Sequence, residues 1–170
     1  MQKNSNTNSV SSLIRYFDSK NNYSFPLPSS IKPIGSNLNT FQDFQQFTLP
    51  TYLSEGTETI PFLQASVVNI KAVSDPNKKI PTTLDGFIEV NELKNFDINL
   101  KRTNLTVDGK IVQKICRSDR SLCVSYAMLD DNQNVLTLSL EYPIQGPRSK
   151  TSDSTIESAY EIMINSLKLQ

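Results

Sequence analysis

Between residues 97 and 143 the chain reads DINLKRTNLTV, KIVQKIC, CVSYAML and VLTLSLEYP, four runs rich in β-branched and apolar residues with only short turn-forming segments between them. Asp108-Gly109 joins the first two runs, and an Asp-Gly pair supplies two residues that tolerate the positive φ of a tight hairpin turn. The second and third runs are separated by Arg117 to Leu122, the third and fourth by DDNQN. Gaps this short force antiparallel neighbours, because a parallel pair needs a crossover of about a dozen residues or more. The stretch therefore specifies a four-stranded antiparallel meander, and the rest of the chain must pack on it or beside it.

The two cysteines of the chain, Cys116 and Cys123, end one run and begin the next. With a turn centred on Asp119 and Arg120, Ser118 faces Ser121, Arg117 faces Leu122 and Cys116 faces Cys123. Opposed residues of an antiparallel pair lie about 4.5 to 5.5 Å apart at Cα, within the span of a disulfide. The register favours a bridge between Cys116 and Cys123; the alternative is two reduced cysteines that happen to face each other, the better reading for a cytosolic protein. A loop this short would restrain the unfolded chain by about 2 kcal/mol, a staple on a hairpin tip. A redox-active pair, activated by Arg117 and Arg120, would ordinarily have the shorter Cys-x-x-Cys spacing. Two thiols without histidine are too few for a structural zinc site, so no metal is expected.

The C-terminal segment reads as an amphipathic helix. Ser154 and Glu157 stand at capping-box spacing, and Ile156, Ala159, Tyr160, Met163, Ile164 and Leu167 form one apolar stripe that has to lie on a sheet. Upstream, LIRYFDS (13–19) and YSFPLP (23–28) read as a hairpin that Pro26 and Pro28 end. Residues 40–50 are expected as a strand, although Phe41, Phe44 and Phe47 also fit a helical stripe. A loop is expected at 54–60. Residues 62–73 read as one central strand, with Leu63, Ala65 and Val67 on one face and Val68 and Ile70 on the other. A second loop covers 74–81. From residue 82, TTLDGFIEVNELKNF reads as a short amphipathic helix, capped by Thr82 and Asp85 and presenting Leu84, Phe87 and Ile88. The fold class is α+β, antiparallel sheet covered by helices.

At 170 residues, one domain over 13–170 is expected, with the polar run MQKNSNTNSVSS (1–12) as a flexible linker. Lysine and arginine total 17, aspartate and glutamate 17, so no basic field draws the chain to nucleic acid or anionic membranes. No stretch approaches the roughly 18 apolar residues of a spanning helix. The linker-like start has two readings, a natural ragged cytoplasmic N-terminus or the stub left when a signal sequence is replaced by a start methionine, and the cysteine register favours the second.

RYFDSKNNYSFPLPSS, LDGFIEVNEL, TVDGKIVQKI, YAMLDDNQNVLTLSLEYP and the closing IMINSLKL together resemble the exported bacterial proteins and lipoproteins of the PsbP-like fold. That fold is shared by the photosynthetic accessory protein PsbP, the periplasmic DcrB and a Ran-binding nuclear import factor. The resemblance implies an antiparallel sheet of six or seven strands between helices, on an exported, periplasmic or cell-surface protein, lipid-anchored through sequence upstream. It implies an accessory or binding scaffold, and it brings no catalytic motif and no cofactor.

The residues agree about catalysis. Histidine is absent, and with it the commonest general base and the usual partner of a nucleophile. Two carboxylate pairs remain: Asp130 with Asp131, read as turn-capping groups, and Glu89 with Glu92, read as a solvated helix face. Two functions of different kind follow. The first is a non-catalytic monomer that docks on a protein partner of unknown identity in an envelope or membrane assembly, through a sheet edge or loop face. The second is a small-ligand carrier or enzyme with a pocket between sheet and helices, lined by Phe41, Phe44, Phe47 and Phe87. Simple core packing is the competing reading of those four aromatics.

Overall fold

A computed structural model describes residues 12–38, 42–48, 61–73, 80–89, 100–118, 121–130, 133–142 and 150–170. Residues 1–11 of the expected 1–12 linker, the loop at 54–60 and Phe41, Glu92, Asp119, Arg120 and Asp131 lie outside the described residues. The elements run β1 (Leu13–Asp18), β2 (Tyr23–Pro28), β3 (Lys32–Leu38), β4 (Gln42–Thr48), β5 (Phe62–Asn69), α1 (Ile70–Val73), α2 (Leu84–Phe87), β6 (Leu100–Val107), β7 (Lys110–Arg117), β8 (Leu122–Met128), β9 (Asn134–Glu141), α3 (Lys150–Asn165) and β10 (Lys168–Leu169). Among the described residues they form a seven-stranded sheet in the order β3-β4-β5-β9-β8-β7-β6 and a three-stranded sheet in the order β1-β2-β10. Every paired neighbour is antiparallel.

The meander is β6 to β9, strand for strand. At its first turn Asp108 and Gly109 take φ of 52° and 77°, the left-handed pair that a two-residue hairpin of this twist needs. Period-two alternation then divides the large sheet into two faces. Leu63, Leu140 and Cys123 lie in one cross-strand row of the first face, continued by Cys116 and Lys101. The neighbouring row runs Ala65, Leu138, Ser125, Lys114 and Thr103. Both rows turn from apolar to polar toward β6. Helix α3 covers their apolar part: Ile156, Ala159, Met163 and Ile164 have no exposed surface. Burial of one such side chain stabilises by about 1.5 to 3 kcal/mol, which is why the stripe fixes where the helix lies. The opposite face carries a second cluster in which Phe87 and Ile88, at and just past the end of α2, meet Val124, Tyr126 and Val135.

Several elements differ from the sequence reading. Residues 62–73 are not one strand: β5 ends at Asn69, whose Oδ1 accepts from the backbone N–H of Lys71 (3.1 Å) and Ala72 (3.3 Å) and so caps the helical turn α1. Ile70 is buried in the second cluster and not on a strand face. The cap of α2 is Thr83, not Thr82: its Oγ1 accepts from Gly86 N at 3.1 Å, while Asp85 accepts from Gln113 Nε2. Helix α3 begins at Lys150, so Ser154 is inside it, and it stops at Asn165. Lys168–Leu169 are instead a strand, paired with Tyr23–Ser24 of β2. Strand β3 has no counterpart in the sequence reading; Pro33 and Gly35 masked it, and its pairing with β4 shifts register between Ile34 and Ser36. Strand β2 has the bounds read from the sequence, Tyr23–Pro28, with Pro28 at its end and Pro26 within it.

Candidate functional site

Cys116 and Cys123 are opposed in the β7–β8 ladder with Cα atoms 4.1 Å apart, and a disulfide joins them. The bridge lies on the α3 face, in the row that runs from Leu140 to Lys101. Beyond it α3 no longer covers the sheet, and a cleft of about 430 Å³ opens between the helix and strands β6 and β7. Its sheet wall carries Lys101, Thr103 and Lys114, and its helix wall Glu157, Tyr160 and Glu161. The charges are divided by wall, cations on the strands and carboxylates on the helix. Lys114 closes the gap by an ion pair with Glu161, and its Nζ lies 5.4 Å from the centroid of the Tyr160 ring. Burial, the larger influence, drives the Tyr160 phenol well above the ordinary tyrosine range. Its hydroxyl is bonded to Ser125 Oγ at 2.9 Å and donates to Leu138 O at 3.3 Å, so it anchors the helix to the sheet.

A second surface is the free side of β1. In antiparallel ladders alternate residues turn their backbone groups toward the neighbour. Ser29 N donates to Ser12 O at 2.8 Å, which fixes the phase: Ile14, Tyr16 and Asp18 point their N–H and C=O at β2, and Leu13, Arg15 and Phe17 point theirs outward. Opposite Arg15 and Leu13 stand Pro26 and Pro28, which have no N–H to offer. Among the described residues no strand pairs with the outer side of β1. Leu13 and Phe17 are each 53% exposed and Ile14 44%. The two edges of the large sheet are protected differently: β6 presents Lys101, Arg102, Thr103 and Asn104 to solvent, and β3 carries Pro33 and a register shift. Among the described residues the edge at β1 combines open backbone groups with three exposed large apolar side chains, whereas β3 has one, Ile34 at 47% exposure, between Pro33 and the register shift.

Of the four aromatic residues expected around a single pocket, Phe47 and Phe87 have described side chains, and these two do not converge. Phe47 is in the α3-side core and Phe87 in the cluster on the other face, where its ring meets Tyr126 edge-on at 6.4 Å. Both are 1–2% exposed, so packing accounts for them. Asp130 caps its own turn, accepting from Asn134 N (3.2 Å) and Nδ2 (2.9 Å), and Glu89 is exposed. Arg117 ends β7 at the rim of the cleft, beside a cysteine that is already bonded. Among the described residues no three His, Cys, Asp or Glu side chains are grouped to hold a metal ion. The reading from sequence missed the β1 edge and the cleft. The signal for the first was present in LIRYF, four large apolar or aromatic side chains around a single Arg15; for the second, Lys101 and Lys114 interrupting an otherwise apolar face.

No protein-family model matches the chain, and no curated protein matches it by sequence. Among solved structures, cyanobacterial PsbP from Synechocystis sp. PCC 6803 aligns at 16% identity over 96% of each chain, with a TM-score of 0.48. The Saccharomyces cerevisiae Ran-binding protein Mog1p aligns at 9% identity over 93% of this chain and 95% of its own, with a TM-score of 0.50. At such identity the likeness is one of architecture: this chain has the PsbP-like fold in the form seen in Mog1p.

Proposed function

We propose that this chain is a non-catalytic accessory module that docks on a protein partner through the open edge of β1. The observation that carries the reading is that edge itself, with outward backbone groups at Leu13, Arg15 and Phe17 and apolar side chains in solvent. An exposed edge of this kind is a template for strand addition, in which main-chain bonds supply affinity and alternate side chains supply specificity. The description of Mog1p as Ran-binding supports a protein partner for the fold. The finer parts of the proposal are an exported protein of an envelope or membrane assembly, anchored by sequence upstream, with residues 1–12 as a leash and 13–170 as one domain. The Cys116–Cys123 bridge supports an oxidising compartment.

A photo-crosslinking phenylalanine analogue at Phe17, introduced in living cells, tests the docking face. A discrete protein adduct is expected at Phe17 and none from Thr103 on the β6 edge. Arg15→Pro deletes an outward N–H that β1–β2 pairing does not use, and it should abolish the adduct while the thermal midpoint is kept. An adduct that survives Arg15→Pro places docking elsewhere. Export is tested separately by thiol titration of freshly isolated protein, native and denatured: two reactive thiols would overturn it.

A second reading is favoured by the cleft, whose volume of about 430 Å³ is that of a small-molecule site and whose charged groups converge from both walls. It ranks below the first because a cation and a carboxylate of the facing walls, Lys114 and Glu161, already satisfy each other. A ligand that raises the thermal midpoint of the native protein and fails to do so in Lys114→Met would promote it.

A further inference from the structure

We infer that the strand which docks on β1 carries an acidic residue opposite Arg15, with apolar residues two positions to either side, and that Arg15 also bars a second copy of this chain from the same edge. The inference rests on the docking reading and adds the chemistry of the partner.

Leu13, Arg15 and Phe17 share the outward face of β1, while Ile14 and Tyr16 face the side on which Leu27 and Phe25 are buried. A strand added antiparallel to this edge presents every second residue to that outward face. Directly opposed side chains across such a pair interact most strongly, so the partner positions facing 13, 15 and 17 decide its fit. Two of the three want apolar contact. The third meets a guanidinium. Arg15 donates from Nη1 to Ser24 Oγ at 2.9 Å, which holds the group on the outward face, and no carboxylate pairs with it among the described residues. Arginine has five N–H donors in a planar fork that fits a carboxylate in bidentate fashion. An acidic side chain at the facing position is therefore the complement that the edge lacks.

The same residue decides against self-pairing. Two copies of β1 matched so that Leu13 of each meets Phe17 of the other place Arg15 directly on Arg15, and like charges directly opposed are destabilising. A slip by one residue sets the outward face of one copy beside the core-facing side of the other, and a slip by two sets each Arg15 against an apolar residue and carries Leu13 or Phe17 past the end of the opposing β1. The edge is thus apolar enough to attract a strand and charged in the one place that rejects its own.

The experiment uses the whole chain and two short capped peptides, each alternating threonine with valine, a central charged residue and valine, the charge being glutamate in one and lysine in the other. Backbone amide shifts of Leu13–Asp18 are followed through titration to millimolar peptide. The glutamate peptide should bind at β1 about tenfold more tightly than the lysine peptide, and Arg15→Glu should invert the preference. The free protein should remain monomeric by sedimentation, and Arg15→Leu should raise self-association. Equal binding of both peptides, unchanged by Arg15→Glu, overturns the acidic partner and leaves docking at the edge standing. No response of the β1 amides to either peptide removes the docking reading along with it. A wild-type dimer built on β1 overturns the exclusion of self.

Discussion

The carboxylate of Asp108 ties the first meander turn to the last residues of the chain. Its Oδ2 accepts from Leu169 N at 2.9 Å and its Oδ1 from Lys168 Nζ at 3.0 Å. The backbone bond from Leu169, followed by the bond from Lys168, lowers the Asp108 pKa below its ordinary 3.8. A carboxyl whose folded value is depressed contributes stability that is complete above the unfolded value and is lost as pH falls through the folded one. Hydrogen-exchange protection of the Leu169 amide is therefore expected to be full at neutral pH and to disappear below the ordinary aspartate range. Asp108→Asn should lower that protection and remove its pH dependence. Tyr160 has the opposite sign. Burial, against a smaller lowering by the Ser125 bond, raises its phenol, so its contribution is complete below pH 10.0 and is lost as pH rises beyond that value. Phenolate absorbance from Tyr160 should appear only together with alkaline unfolding, and Tyr160→Phe, which strands the Ser125 hydroxyl in the core, should cost about 1 to 3 kcal/mol. Of these two residues, Tyr160 was legible as part of an apolar stripe and Asp108 as a turn former. Their partners were not, since Leu169 stands 61 positions from Asp108 and no local pattern joins them.

Hairpins are the elements in which sequence speaks most directly, because one turn sets the register of every following pair. The β7–β8 turn does so for Cys116 and Cys123, and the bridge closes a loop with a sequence separation of 7. By the loop-closure argument it stabilises by about 2 kcal/mol. Reduction, or Cys116→Ser with Cys123→Ser, should lower the thermal midpoint by about 4 to 8 °C in scanning calorimetry and leave the amide spectrum of α2 and β9 native. A larger loss would mean that the cysteines hold more than a hairpin tip. Elements that end by a side chain were harder to read. Asn69 sits in an apolar run that favours a strand to Val73, yet its Oδ1 accepts from the N–H groups of Lys71 and Ala72 and bends the chain into α1. Strand β10 is two residues long and gains its place from β2 and Asp108, which lie far off in sequence. The open edge of β1 follows from β1 pairing with β2 alone among the described residues, a fact of topology that LIRYF by itself does not contain.

The whole molecule depends on how the small sheet is held to the large one. Phe47 of β4 meets Tyr16 of β1 edge-on at 5.1 Å and Phe25 of β2 at 5.8 Å, while Tyr16 stacks on Phe25 at 5.2 Å. Leu27 and Tyr23 of β2 share one buried cluster with the stripe of α3 and with Leu136, Leu138 and Leu140 of β9. Strands from both sheets thus bury their apolar sides in a common core, and neither sheet can leave without exposing the other. This continuity predicts a single cooperative transition for residues 13–170, as expected of one domain. Phe47→Ala removes the ring that touches both sheets and should cost about 3 to 5 kcal/mol, most of it cavity and lost transfer energy. In urea, followed by amide resonances of β2 and of β8, the wild type and Phe47→Ala should each unfold with coincident midpoints, the variant at lower denaturant. Phe47→Leu, which keeps most of the volume, should lie between them. If the resonances of β1 and β2 melt first in the wild type, the small sheet is a separate unit, and the docking edge rests on a part of the fold that opens on its own.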